Sequence, residues 1–238
     1  MKKIFTIVLL SIMCIIPFGV NAQENATYTT LRGVTVDKEL YDKMVNVYSK
    51  NYVETLSQIE FNNLSANIDN AVVKEYVVTD NIARGSYFAS GAKAVRLVKS
   101  GDWVTLTGTW TVVPNVHSYD VIAVRLSGCS LNGDYTFKQT YASSGNVYYV
   151  YNGVNQTFSN GFGSSALLQY GSGNEYSLTF RISGSGTVYG TYQHAAQSVT
   201  LNDSLNYGIG AGGYGNVVRF AAGVALKYDQ MNGVDLAV

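Results

Sequence analysis

From Ala71 to its C-terminus this chain alternates short runs rich in Val, Ile, Tyr and Thr with clusters of Gly, Ser and Asn. Runs of that length with a period of two, separated by turn residues, fit antiparallel strands and leave no room for the helices of βαβ units. The candidate strands are residues 71–79, 86–89, 93–99, 103–113, 117–127, 135–141, 147–152, 166–170, 175–183, 187–201 and 217–226. Two of them show a buried and a solvated face. Val104, Leu106, Trp110 and Val112 oppose Thr105, Thr107, Thr109 and Thr111, while Tyr176, Leu178, Phe180 and Ile182 oppose Glu175, Ser177, Thr179 and Arg181. Asn132-Gly133 reads as a tight hairpin turn, because both residues tolerate positive φ. The expected fold is mainly β: an antiparallel β-sandwich, jelly-roll-like, over residues 71–238.

Upstream the period changes. Leu40, Tyr41, Met44, Val47, Tyr48, Tyr52, Leu56 and Ile59 recur at three- and four-residue steps, an amphipathic stripe that one helix or two broken ones over residues 37–62 would make. Asp37 suits its N-cap and Asn62-Asn63 its stop. Residues 23–80 carry nine acids against five bases. Residues 23–70 are therefore read as an acidic, largely helical extension that must pack on something, since alone it is marginal: docked on the β domain or serving as a spacer.

The first 22 residues have another character. Met1-Lys2-Lys3 precedes an apolar run from Ile4 to Pro17, and Val20-Asn21-Ala22 leads into Gln23. That order is a signal peptide, so the chain is read as secreted, and the leader has a bacterial cast. Residues 23–238 hold 14 bases and 16 acids, too even a balance to attract nucleic acid. Cys129 is the one cysteine after the leader and reads as a small buried hydrophobe.

No catalytic motif stands out. His117 and His194 have no Cys, His or acid at ligand spacing, so no metal site is expected, and no cofactor loop is recognisable. His117, Ser118 and Asp120 lie too close along one strand to form a triad by themselves. Glu175 is the best single acid, and an alternative reading makes it one carboxylate of a glycan hydrolase, with an aspartate as its partner.

Tyrosine is the remaining signal, with 19 in the chain. In Val147-Tyr148-Tyr149-Val150-Tyr151 successive rings point to opposite faces, so at least one stands outside the core. Tyr148, Tyr149 and Tyr151, with Asn152, are the candidate ligand-binding residues, suited to a surface glycan or a protein ligand. The leading reading is a secreted, non-enzymatic binding protein. A second alternative is a membrane-active protein in which residues 143–174, with Val147, Tyr149, Tyr151, Phe158, Phe162 and Leu167, detach as an amphipathic hairpin.

Overall fold

The structure is a computed structural model that describes residues 26–77, 92–211, 217–229 and 233–238. The expected leader and the candidate strand 86–89 lie outside the described residues.

Among the described residues, a short hairpin of β1 (Thr27–Thr29) and β2 (Thr35–Asp37) comes first. Three helices follow: α1 (Lys38–Val47), α2 (Lys50–Glu54) and α3 (Gln58–Ser65). Asp37 caps α1 as expected, accepting the Glu39 amide. The stripe does not make one helix, because Ser49 and Ser57 each cap a new one, Ser57 in a capping box with Glu60. Asn62-Asn63 does not stop the last helix, which runs on to Ser65.

The strands then form two six-stranded antiparallel sheets. The first contains β3 (Val72–Val77), β4 (Lys93–Ser100), β5 (Trp103–Trp110), β11 (Ser172–Ser183), β7 (Ser130–Ser143) and β8 (Asn146–Val150), in that spatial order. In the second, β12 (Thr187–Ala195), β6 (Tyr119–Ser127), β10 (Gly161–Leu167) and β9 (Val154–Phe158) lie side by side. The short β15 (Tyr228–Asp229) and β16 (Val234–Ala237) both pair with β12. β5 pairs β11 in one sheet and β6 pairs β10 in the other, and the chain crosses between sheets at both joins. That nesting is the jelly-roll relation, and the sandwich expected from the alternation is the fold observed.

The core between the sheets collects Val95, Leu97, Val104, Leu106, Ile122, Val124, Phe162, Leu178, Phe180 and Val188, with Trp110, Tyr176 and Tyr192. Two glycines let the sheets interlock. A Cβ at Gly108 of β5 would run into the Tyr192 ring of β12, and one at Gly190 of β12 would run into Leu106 of β5. Each glycine is the hole for the other sheet's large side chain.

Both outer faces are covered, which the alternation did not foretell. The helices lay Tyr41, Met44, Tyr48, Tyr52, Val53, Leu56, Phe61 and Leu64 over the first sheet, reaching Val98 and Trp103. Thr105, Thr107, Glu175 and Ser177, expected in solvent, are buried beneath them. The second sheet is covered by α4 (Leu201–Ser204), β13 (Tyr207–Ile209), β14 (Val218–Phe220) and α5 (Ala222–Ala225).

Three further expectations change. β5 ends at Trp110, leaving Val112 exposed. Asn132-Gly133 is no hairpin turn; it lies inside β7, where the register against β11 slips between Tyr135 and Leu131 and Gly133 has φ +85. It is a bulge, which needs the same left-handed residue. The reading of 143–174 as a detachable segment meets β10, held between β6 and β9 with Phe162, Ala166 and Leu168 in the core. Cys129 is a buried free thiol, as expected. Among the described residues no helix is long and apolar enough to cross a membrane.

Candidate functional site

β8 forms one edge of the first sheet, and its register with β7 sets Tyr149 opposite Thr140 and Tyr148 opposite Tyr141. Alternation therefore sends the two rings to opposite faces. Tyr149 lies on the helix-bearing face, with the Arg32 guanidinium 5.1 Å from its ring centre. Tyr151 meets Tyr149 edge-on, centroids 5.8 Å apart and planes at 79°. The Lys138 ammonium lies 5.9 Å from the Tyr151 ring centre. Burial of its hydroxyl raises the Tyr151 pKa, with the Glu60 charge acting the same way.

On the other face Tyr148 stacks against Tyr141 at 5.5 Å. Asn152 donates its amide to the Leu167 carbonyl at 3.1 Å and so ties the β8–β9 loop to β10. Of the four residues picked from sequence, Tyr149 and Tyr151 thus come together, Tyr148 stands back to back with them, and Asn152 anchors the loop. All three rings are accessible, at 43% for Tyr148, 37% for Tyr149 and 52% for Tyr151. Leu167 and Tyr170 near the same edge are exposed as well, and Tyr170 stacks on His117 at 3.9 Å. Arg32 is the contributor that sequence reasoning missed. It comes from the β1–β2 turn, and nothing local in the sequence connects it to β8.

A second polar group lies inside the molecule. Asp120 and His194, both wholly buried, meet at 2.8 Å through His194 Nδ1. No spacing in the sequence points to this pair, because pairing β6 with β12 joins residues far apart in the chain. Asp120 Oδ2 also accepts the Tyr192 hydroxyl, and Oδ1 accepts the Ala195 amide at 2.9 Å. Trp110 Nε1 donates to the Tyr192 oxygen at 2.9 Å. The carboxyl thus meets three polar partners and is sealed from solvent, the pattern of a satisfied buried polar group. Among the described residues no group of three or more His, Cys, Asp or Glu is set to hold a metal.

The third feature is a cleft of about 470 Å³ at the margin of the helical layer, above β3, β4, β5 and β11. Glu175 lies in it, 4% exposed. Burial pushes its pKa up to about 7, with the Ser49 hydrogen bond and the charges of Arg96 and Lys138 pulling the other way. Glu75 lines the same cleft, ion-paired to Arg96 at 2.8 Å. None of the aspartates considered as hydrolytic partners of Glu175 lines it.

The raised pKa has a consequence for stability. The folded state holds the Glu175 proton to higher pH than the unfolded chain, whose carboxyl titrates near 4.5. Its contribution therefore falls as pH rises from about 4.5 through about 7, by roughly 3 kcal/mol for a shift of this size. Glu175→Gln should remove that slope: urea unfolding at mildly acidic and mildly alkaline pH should find the variant gaining on the wild type as pH rises. A difference that stays flat across the window would refute the assignment.

No protein-family model matches this chain, and no curated protein matches it. Among solved structures it is similar to the KRT10-binding region domain of the pneumococcal serine-rich repeat protein PsrP, at 16% identity. The match covers 51% of this chain and 84% of that one, with a TM-score of 0.28. A likeness at that level carries no argument about ligand or mechanism.

Proposed function

We propose that this is a secreted, non-enzymatic binding protein that engages a protein ligand through the β7–β8 edge of its first sheet. The observation that supports this most is the Tyr149–Tyr151–Arg32 group: two accessible rings and a guanidinium held together by packing. Tyr and Arg are the residues that most often carry binding energy at protein interfaces, because they offer large contact area with few rotatable bonds or a rigid donor fork. A flat sugar-stacking platform fits less well. Arg32 lies over the Tyr149 ring, and the two tyrosines meet at a steep angle. Secretion rests on the N-terminal leader read from the sequence.

The test is binding of the labelled full chain to cell surfaces and extracellular matrix. Tyr149→Ala and Tyr151→Ala should each weaken binding by about 2 kcal/mol, or roughly thirtyfold. Protease treatment of the surface should abolish it. Loss on glycosidase treatment alone would move the ligand class to glycans, and variants that bind like the wild type would sink the site.

A further inference from the structure

Glu175 occupies a place where a buried acid needs a reason. On β11 it pairs with Thr109 of β5, which pairs with Ala94 of β4 and, beyond it, Val77 of β3. The adjoining rung runs Ser177, Thr107, Arg96, Glu75. All of these but Ser177 line the floor of the cleft, and its wall is the α1–α2 junction at Tyr48 to Asn51. Ser49, which caps α2 by accepting the Tyr52 amide, stands beside the Glu175 carboxyl and favours its charged form. Glu175 Oε1 is buried with no hydrogen-bond partner. An orphaned buried acceptor is costly to keep, and this one lies in the lining of a cleft where a visiting donor can reach it.

The surrounding charges narrow the visitor. Arg96 directs Nε and Nη2 onto Glu75 Oε1, at 2.9 and 2.8 Å, and Nη1 onto the carbonyls of Val47 and Tyr48. The guanidinium is therefore spent on the protein and has little left for an anionic ligand. A cationic ligand would meet the Lys50 that lines the cleft and the Lys138 charge near Glu175, both of which oppose a further positive charge, whereas the Arg96 charge is balanced by Glu75. What remains is a neutral molecule with hydroxyl donors. Thr107 and Thr109 add hydroxyls that both donate and accept along the floor. The cleft volume lies within the range of small-molecule sites.

We propose that this cleft is a binding site for a small neutral polyhydroxylated ligand, a mono- or disaccharide, whose hydroxyl donates to Glu175 Oε1. The site is independent of the β7–β8 edge and does not require that reading to hold. No bond is made or broken: Glu175 binds and does not react.

The experiment uses the full chain and saturation-transfer NMR with glucose, galactose, N-acetylglucosamine, maltose and lactose, followed by calorimetry on whichever binds. Glucosamine and glucuronate serve as charged counterparts. At least one neutral sugar should bind saturably. Glu175→Leu should weaken it about tenfold or more, and Glu175→Gln, which keeps a carbonyl acceptor, should restore part of the loss. Thr109→Val, at a half-buried position on the floor, should weaken it severalfold with an unchanged melting temperature, so the assignment stays testable if Glu175→Leu fails to fold. Tyr149→Ala and Tyr151→Ala should leave sugar binding intact, which separates this site from the edge. Absence of saturable binding up to millimolar sugar would overturn the proposal. So would tighter binding of glucosamine or glucuronate than of glucose, or sugar affinity unchanged in both Glu175→Leu and Thr109→Val.

Discussion

Asp120→Ala is expected to cost about 3–5 kcal/mol of folding stability, the range for breaking a buried charged cluster by removing one partner. The reason is the asymmetry between making and losing a buried hydrogen bond. Asp120 Oδ2 accepts from Tyr192 and from His194 Nδ1, and Oδ1 accepts the Ala195 amide. Deleting the carboxylate leaves three donors facing an empty space from which solvent is excluded, and each orphaned donor costs about 1–3 kcal/mol before relaxation. Asp120→Asn should be milder, because an amide oxygen still accepts while its NH2 must face a donor. Tyr192→Phe should be milder again, at about 1–2 kcal/mol, since it removes one bond to Asp120 and one from Trp110. Urea unfolding of the three variants checks the order. If Asp120→Ala unfolds at nearly the wild-type midpoint, the cluster is not what holds β6 to β12, and a chemical role for the Asp120–His194 pair would have to be reconsidered.

That pair also marks where sequence reading ends. In β11 the inward set Tyr176, Leu178, Phe180 and Ile182 is buried as its alternation dictates. A strand's own period is local information. Asp120 and His194 are 74 residues apart, and only the register of β6 on β12 brings them together. The threonine face of β5 was legible as polar but not as buried, because what covers it is a helical layer from the other end of the chain. β10 was read mostly as loop for another reason. Its sequence, Gly-Phe-Gly-Ser-Ser-Ala-Leu, is written for close approach: a Cβ at Gly163 would press on Ala123 and on the Tyr207 hydroxyl, and one at Gly161 on the Val124 carbonyl. Small residues that permit a tightly covered strand look the same, one residue at a time, as those that mark a turn. At the candidate edge, exposure of a ring in Tyr148-Tyr149 followed from alternation, whereas Arg32 followed from nothing nearer than the docking of the β1–β2 turn.

The docking of the helical layer combines apolar packing with a buried ion pair, and Glu60→Ala should break that pair at a cost of about 3–4 kcal/mol. Lys138 projects from β7 into the helix–sheet interface, where it is almost wholly buried. Its ammonium meets Glu60 Oε1 at 3.1 Å and donates to the Thr55 carbonyl at 3.1 Å. Burial pulls the Lys138 pKa down, and the Glu60 charge opposes this. Glu60 also accepts the Ser57 amide at 2.7 Å in the capping box that starts α3. Burial would raise the Glu60 pKa, but the Lys138 charge and the Ser57 bonds outweigh it and leave it lowered. The alanine variant therefore loses about 1 kcal/mol of capping and strands a buried ammonium on one carbonyl. Lys138→Met in the Glu60→Ala background should recover most of the loss, since an apolar side chain of similar length needs no partner there. The pH dependence has a definite sign. A lowered carboxylate pKa stabilises the fold above its unfolded value and stops doing so as pH falls through the folded one, so the cost of Glu60→Ala should fade in acid. In that variant the stranded Lys138 sheds its proton more easily than in the unfolded chain, so its stability should climb again towards alkaline pH. A Glu60→Ala variant that loses only what a missing cap explains, with no rescue by Lys138→Met, would mean that apolar packing alone keeps the helical layer in place.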